Sequence, residues 1–195
     1  MYRNIEELVA VFWDGLEEGT LRLGDFESWM RDAGAPGTIA QWRHSLAQWF
    51  PERAWDGDID SDFERLWDGQ FTTVTGMVKV QDIFLTNADD FSALTSIGGP
   101  LYITSNASLE NVDGFSALTS VGSDLYIYSN AVLENADGFS ALTSLGGNLD
   151  IYSNDVLTNV DGFSALTSVG SILYIENNDV LSKDSIKALK DRIHG

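Results

Sequence analysis

Residues 113–136 read DGFSALTSVGSDLYIYSNAVLENA, and residues 137–160 read DGFSALTSLGGNLDIYSNDVLTNV. The second stretch is a near-copy of the first. A looser copy starts at Asp89 and a fourth runs from Asp161 to Leu181, so that Phe91, Phe115, Phe139 and Phe163 fall 24 residues apart. Self-similarity at a fixed period of roughly 20–50 residues marks a solenoid, in which each unit buries its apolar face only against its neighbours.

The copies align on the phrase L-x-I-x-x-N-x-x-L. It is carried by Leu101, Ile103, Asn106 and Leu109, and by Leu125, Ile127, Asn130 and Leu133. Leu149, Ile151, Asn154 and Leu157 repeat it, as do Leu173, Ile175, Asn178 and Leu181. The L-x-I part has the alternation of a short strand with its apolar residues turned inward. Asparagine follows where the chain must turn, and its amide can bond backbone groups that a tight coil would leave unpaired. Asn106, Asn130, Asn154 and Asn178 are therefore expected to form a structural ladder rather than a catalytic set. The other half of the unit, G-F-S-A-L-T-S-V-G, places Phe115, Leu118 and Val121 at spacings of three. That spacing suits a 3₁₀ or irregular helical turn on the convex side. Gly122, Gly146 and Gly170 are expected to let the backbone swing into the next strand.

Gly138, Phe139, Leu142, Leu145, Gly146, Gly147, Leu149, Ile151, Asn154 and Leu157 fill every place of the pattern G-F-x-x-L-x-x-V-G-G-x-L-x-I-x-x-N-x-x-L. In this the chain resembles the leucine-rich repeat superfamily, most closely the variant of receptor L-domains and bacterial repeat proteins. The resemblance covers residues from about 77 to 181. It implies a right-handed coil with a parallel β-sheet that serves as a recognition surface, and it brings no catalytic residues.

Before Val74 the repeat is absent and the composition changes, with all six tryptophans in this part of the chain. Ile5, Leu8, Val9, Phe12, Trp13 and Leu16 make one helical stripe, with Asn4 as its cap and Glu7 placed to complete the pair. A second helix is predicted from Asp25 to Ala33, ending at Gly34. A third is predicted from Thr38, with Gln41 three residues on, to the residue before Pro51. A last one opens at Ser61-x-x-Glu64. The expected architecture is α+β. Residues 1–70 form a Trp-rich helical bundle capping a solenoid of about five coils over 71–181, and a capping helix occupies 182–195.

Two motifs in the bundle invite function. WMRDAGAPGTIAQWRHSL resembles a helix-turn-helix, but its spacing is one residue short and it sits in an acidic segment, so an ordinary helical hairpin is the better reading. In DGDIDSDFE, Asp56, Asp58, Asp60 and Asp62 are spaced like calcium ligands. The loop has Ser61 where glycine is needed and Trp67 where a bidentate glutamate is needed. An acidic helix N-terminus is the expected role and calcium the alternative.

The chain carries 30 acidic and 11 basic residues, a net charge of −19, with 15 acids in residues 1–70 and 15 in residues 71–195. That argues against nucleic acid, which needs a basic footprint, and makes a basic protein partner the electrostatic match. There is no cysteine. No catalytic triad or phosphate-cradling loop can be assembled around His44 and His194, so neither an enzyme nor a cofactor is expected. No stretch reaches the ~20 apolar residues of a membrane span, and the N-terminus lacks the pattern of a signal peptide, so a cytoplasmic location is expected.

If Leu125 and Ile127 point inward, residues on either side of them point outward in every coil. The outward columns are Pro100, Asp124, Asn148, Ile172; Tyr102, Tyr126, Asp150, Tyr174; and Thr104, Tyr128, Tyr152, Glu176. From these the expected binding face is Tyr102, Asp124, Tyr126, Tyr128, Asp150, Tyr152, Tyr174 and Glu176. Tyrosine supplies stiff, amphipathic contact area of the kind found at interface hot spots. The function read from the sequence is non-enzymatic protein recognition. The alternatives are an acidic decoy for a nucleic-acid-binding protein and, through the tyrosines, a carbohydrate-binding module. A small-molecule ligand is not expected.

Overall fold

Ten short strands, most of them set by the 24-residue repeat, stack in two parallel sheets in a computed structural model that describes residues 4–17, 20, 26–38, 41–42, 45, 54–55, 59, 71–81 and 85–194. One sheet holds β3 (Val78–Val80), β5 (Leu101–Thr104), β7 (Leu125–Tyr128), β9 (Leu149–Tyr152) and β10 (Leu173–Glu176), in that spatial order. Its register sets Leu125 beside Leu101 and Leu149, so like residues meet in every coil. Leu101, Ile103, Leu125, Ile127, Leu149 and Ile151 are fully buried, as the alternation requires.

The second sheet is made of two-residue strands: β1 (Ala54–Trp55), β2 (Thr73–Val74), β4 (Ser96–Ile97), β6 (Ser120–Val121) and β8 (Ser144–Leu145). Here the structure departs from the expectation of helical turns alone. Asp113–Phe115 is a 3₁₀ turn, matched by Asp89–Phe91, Asp137–Phe139 and a longer one at Asp161–Ala165. Ser120–Val121, however, pairs in parallel with its copies. A strand of two residues is too short for alternation to reveal it. The stack also reaches further toward the N-terminus than the repeat does. Ala54–Trp55 pairs with Thr73–Val74, and the Ile59 N–H donates to the Met77 carbonyl at 2.6 Å.

Two glycine columns exist because coils touch there. A Cβ built on Gly138 would collide with the Val112 carbonyl, and one on Gly146 with the Gly122 carbonyl. The expected swing at Gly146 is thus a requirement for closeness and not for an unusual dihedral. The left-handed backbone lies elsewhere: Ser105, Ser129, Ser153 and Asn177 have φ of 59°, 56°, 56° and 55°. Inside, the four repeat phenylalanines stack in a file, with centroids 4.9, 5.6 and 5.1 Å apart.

Of the N-terminal segment, two helices are described, α1 (Ile5–Glu17) and α2 (Phe26–Asp32). Asn4 Oδ1 accepts the Glu7 N–H at 2.9 Å, as its capping position predicts. α2 ends at Gly34 (φ 69°), where the Gly34 and Ala35 N–H groups return to the Arg31 and Met30 carbonyls. Phe12 of α1 meets Phe26 and Trp29 of α2 at 5.0 and 5.5 Å. Thr38 and Gln41 exchange the bonds of a capping box, and the Trp42 N–H donates to the Thr38 carbonyl. The rest of the expected bundle, with His44 and the Ser61-x-x-Glu64 helix, lies outside the described residues. At the other end α3 (Lys183–His194) covers the last 3₁₀ turn, with Leu189 buried. Ser185 Oγ accepts the Val160 N–H and donates to Asp161, while Arg192 donates to the Phe163 carbonyl.

Candidate functional site: the outward face of the long-strand sheet

The face is held from behind by asparagines. Asn106, Asn130 and Asn154 are fully buried. Asn130 Oδ1 accepts the Asn106 backbone N–H at 3.3 Å and its Nδ2 at 2.8 Å. Asn130 Nδ2 in turn donates to the Ile103 carbonyl at 2.9 Å and to Asn154 Oδ1 at 3.1 Å. Asn154 hands the same pattern on to Asn178, which is half-buried in the last coil. Each amide ties one coil to the next on both sides. The strands, and whatever they display, are thereby locked in register.

On the outside, pairing sets Tyr102, Tyr126, Asp150 and Tyr174 in one column and Thr104, Tyr128, Tyr152 and Glu176 in the next. Tyr102 and Tyr126 stack at 4.8 Å and 6° between planes, and Tyr128 and Tyr152 at 4.7 Å and 5°. Tyr174 meets Tyr152 edge-on at 6.1 Å. Strand spacing of about 4.8 Å makes such stacks the natural packing of like residues in parallel register. All eight expected face residues lie on this one surface. Thr104 does not belong to it: expected outward, it is 2% exposed. Register puts it beside Tyr128, whose ring outreaches a threonine.

The acids are bound into the face. Asp124 Oδ2 accepts the Tyr126 hydroxyl at 3.2 Å, and its Oδ1 accepts the Asn148 N–H at 2.6 Å. Asn148 Oδ1 takes the Ile172 N–H at 3.0 Å, so the column before the strands is a second ladder that alternation alone does not disclose. Glu176 accepts the Tyr174 hydroxyl at 3.0 Å. Burial, helped by Asp124, pushes the Tyr126 phenol up to about 12. The Asp150 carboxyl is raised, first by burial and then by the charge of Asp124. Tyr152 is raised chiefly by burial, and Tyr174 chiefly by its bond to Glu176.

A further column went unread in the sequence. Asn87, Asn111, Asn135 and Asn159 each accept the N–H of the aspartate two residues on, at 3.0–3.2 Å, and so open the 3₁₀ turns. Their 24-residue period was the available signal.

Asp56, Asp58, Asp60 and Asp62 lie outside the described residues; among the described residues no group of three or more acids and histidines could hold a metal ion. No described helix is long and apolar enough to cross a membrane. Comparisons with family models and with curated proteins find no match to this chain.

Proposed function

We propose that this chain is a non-enzymatic, cytoplasmic recognition module of the leucine-rich repeat type, and that it binds a basic protein through the outward face of the long-strand sheet. The observation that carries the reading is the pair of stacked tyrosine couples, Tyr102–Tyr126 and Tyr128–Tyr152, flanked by Asp124, Asp150 and Glu176 on a sheet locked from behind. Stiff aromatic area that needs no ordering on binding loses little entropy, and the acids add long-range attraction for a cationic surface. The test is capture of partners from host lysate by the full chain, followed by affinity measurement with Tyr126→Ser, Tyr128→Ser and Tyr152→Ser combined. Binding is expected to weaken at least about tenfold, or 1.4 kcal/mol, with the fold retained. Normal binding by that variant would remove the face from consideration. Binding that collapses steeply with added salt would favour the acidic decoy instead.

A further inference from the structure

In the column Lys79, Tyr102, Tyr126, Asp150, Tyr174, one internal rung carries no ring. Tyr126 lies flat on Tyr102, so its opposite face is turned along the ladder toward β9. In the neighbouring column β9 answers with Tyr152, which continues the Tyr128 stack. In this column it answers with Asp150. Two strand spacings separate the Tyr126 and Tyr174 positions by about 9.6 Å, which leaves room for one flat group over the carboxylate.

The chemistry of the gap is specific. The flanking phenols that could have donated to Asp150 are turned to other acids, Tyr126 to Asp124 and Tyr174 to Glu176. Asp150 has no hydrogen-bond or ion-pair partner among the described residues, and it is half-buried beside Asp124. A partly desolvated carboxylate without a donor costs free energy that an incoming cation removes. A neutral ring would fill the gap and leave that charge unpaired. A primary ammonium would pair the charge but meets a ring only as a compact, strongly hydrated point charge, with no planar surface to layer on Tyr126. A guanidinium does both, stacking on a ring while its edge donates to a carboxylate.

We propose that the Asp150 rung is a socket for an arginine side chain of the partner, its guanidinium layered against Tyr126 and bonded to Asp150. This deepens the recognition role proposed above and rests on it. The groups that face the socket are Asp124 and Tyr126 from the β7 side, Tyr152 on β9, and Tyr174 and Glu176 on β10.

The full chain, labelled with nitrogen-15, is titrated with acetyl-Gly-Arg-Gly-amide and with the lysine and citrulline versions of that peptide. Amide shifts of residues 148–152 are followed. The arginine peptide is expected to give saturable shifts there, with the lysine peptide at least about threefold weaker and the neutral citrulline peptide at least about tenfold weaker. Asp150→Asn, and Asp150→Tyr, which supplies the missing ring, are each expected to reduce arginine binding at least about tenfold. Two results overturn the socket: no saturable shift up to roughly 50 mM arginine peptide, or unchanged binding by Asp150→Asn. The face and the socket fail separately. A captured partner lost by the triple tyrosine variant but kept by Asp150→Asn leaves the face and removes the socket. Loss of the peptide by Asp150→Asn, with the partner still bound by the triple variant, leaves an arginine site at Asp150 and removes both the face and the socket as contacts of the partner.

Discussion

The asparagine column and the tyrosine column repeat at the same 24-residue interval, yet one is identical in all four copies and the other is not. Inside, Asn106, Asn130 and Asn154 satisfy backbone groups that water cannot reach, and an amide supplies both the donor and the acceptor each step of the ladder uses; Asn178 ends the ladder half-buried. Outside, the positions read Tyr102, Tyr126, Asp150 and Tyr174, and the bonds that Tyr126 and Tyr174 make there go to other side chains and not to the backbone. The interior is set by an accounting of hydrogen bonds. The exterior is left to whatever the surface contacts.

The sharpest way to break this contrast lies where coils meet backbone to backbone. Gly138→Ala would drive a methyl group into the Val112 carbonyl, and the coils have no slack to absorb it. Loss of about 3 kcal/mol or more, or failure to fold, is expected. A urea midpoint equal to that of the parent would mean the turns do not stack as described. Next in size is Asn130→Ala, which strips partners from Asn106, Ile103 and Asn154 together. The expected cost is about 1–3 kcal/mol, read as a lower melting temperature. An unchanged melting temperature would put the inner column on the same footing as the outer one.

The smallest effect sharpens the outer side. Tyr126, pushed up to about 12, is expected to ionise after an ordinary phenol in a titration followed at the phenolate absorption band. Because its folded value lies above its unfolded one of 10.0, its contribution to stability is full below that pH and is lost as pH climbs toward 12. Asp124→Asn removes the charge that adds to the burial effect and is expected to bring the late step earlier. A Tyr126 phenol that ionises at the ordinary 10.0 would show that part of the face to be fully wet and uncoupled from Asp124.

The long strands, their inward pairs and the amide ladder were legible because each follows a period that physical chemistry forces: two residues within the strand, 24 between coils. The outward columns followed from the same alternation. What escaped reading did so for identifiable reasons. Ser120–Val121 is too short to alternate. Ala54–Trp55 belongs to no copy of the repeat, and its pairing with Thr73–Val74 is a tertiary fact. The left-handed position fell on Ser105, Ser129 and Ser153 rather than on glycine, so composition did not flag it. Within the site, alternation gave the neighbours but not their contacts. The bond from Tyr126 to Asp124 joins residues two apart on one face and was within reach; the isolation of Asp150, which depends on where two other phenols turn, was not.

α3 sits on the last 3₁₀ turn and leaves the strand half of the final coil open, with Ile172 58% and Tyr174 39% exposed and Leu173 only half-buried. The Leu149 N–H reaches the Ile172 carbonyl, so in parallel register the Leu173 and Ile175 peptide groups point outward from the sheet, in the same directions Leu149 and Ile151 use to hold β10. The final coil therefore offers the valences that every earlier coil has used. Nothing in its geometry counts how many came before. The extent of the displayed surface is accordingly quantised: it grows by one strand spacing, about 4.8 Å, for each sentence of 24 residues written ahead of Ser182.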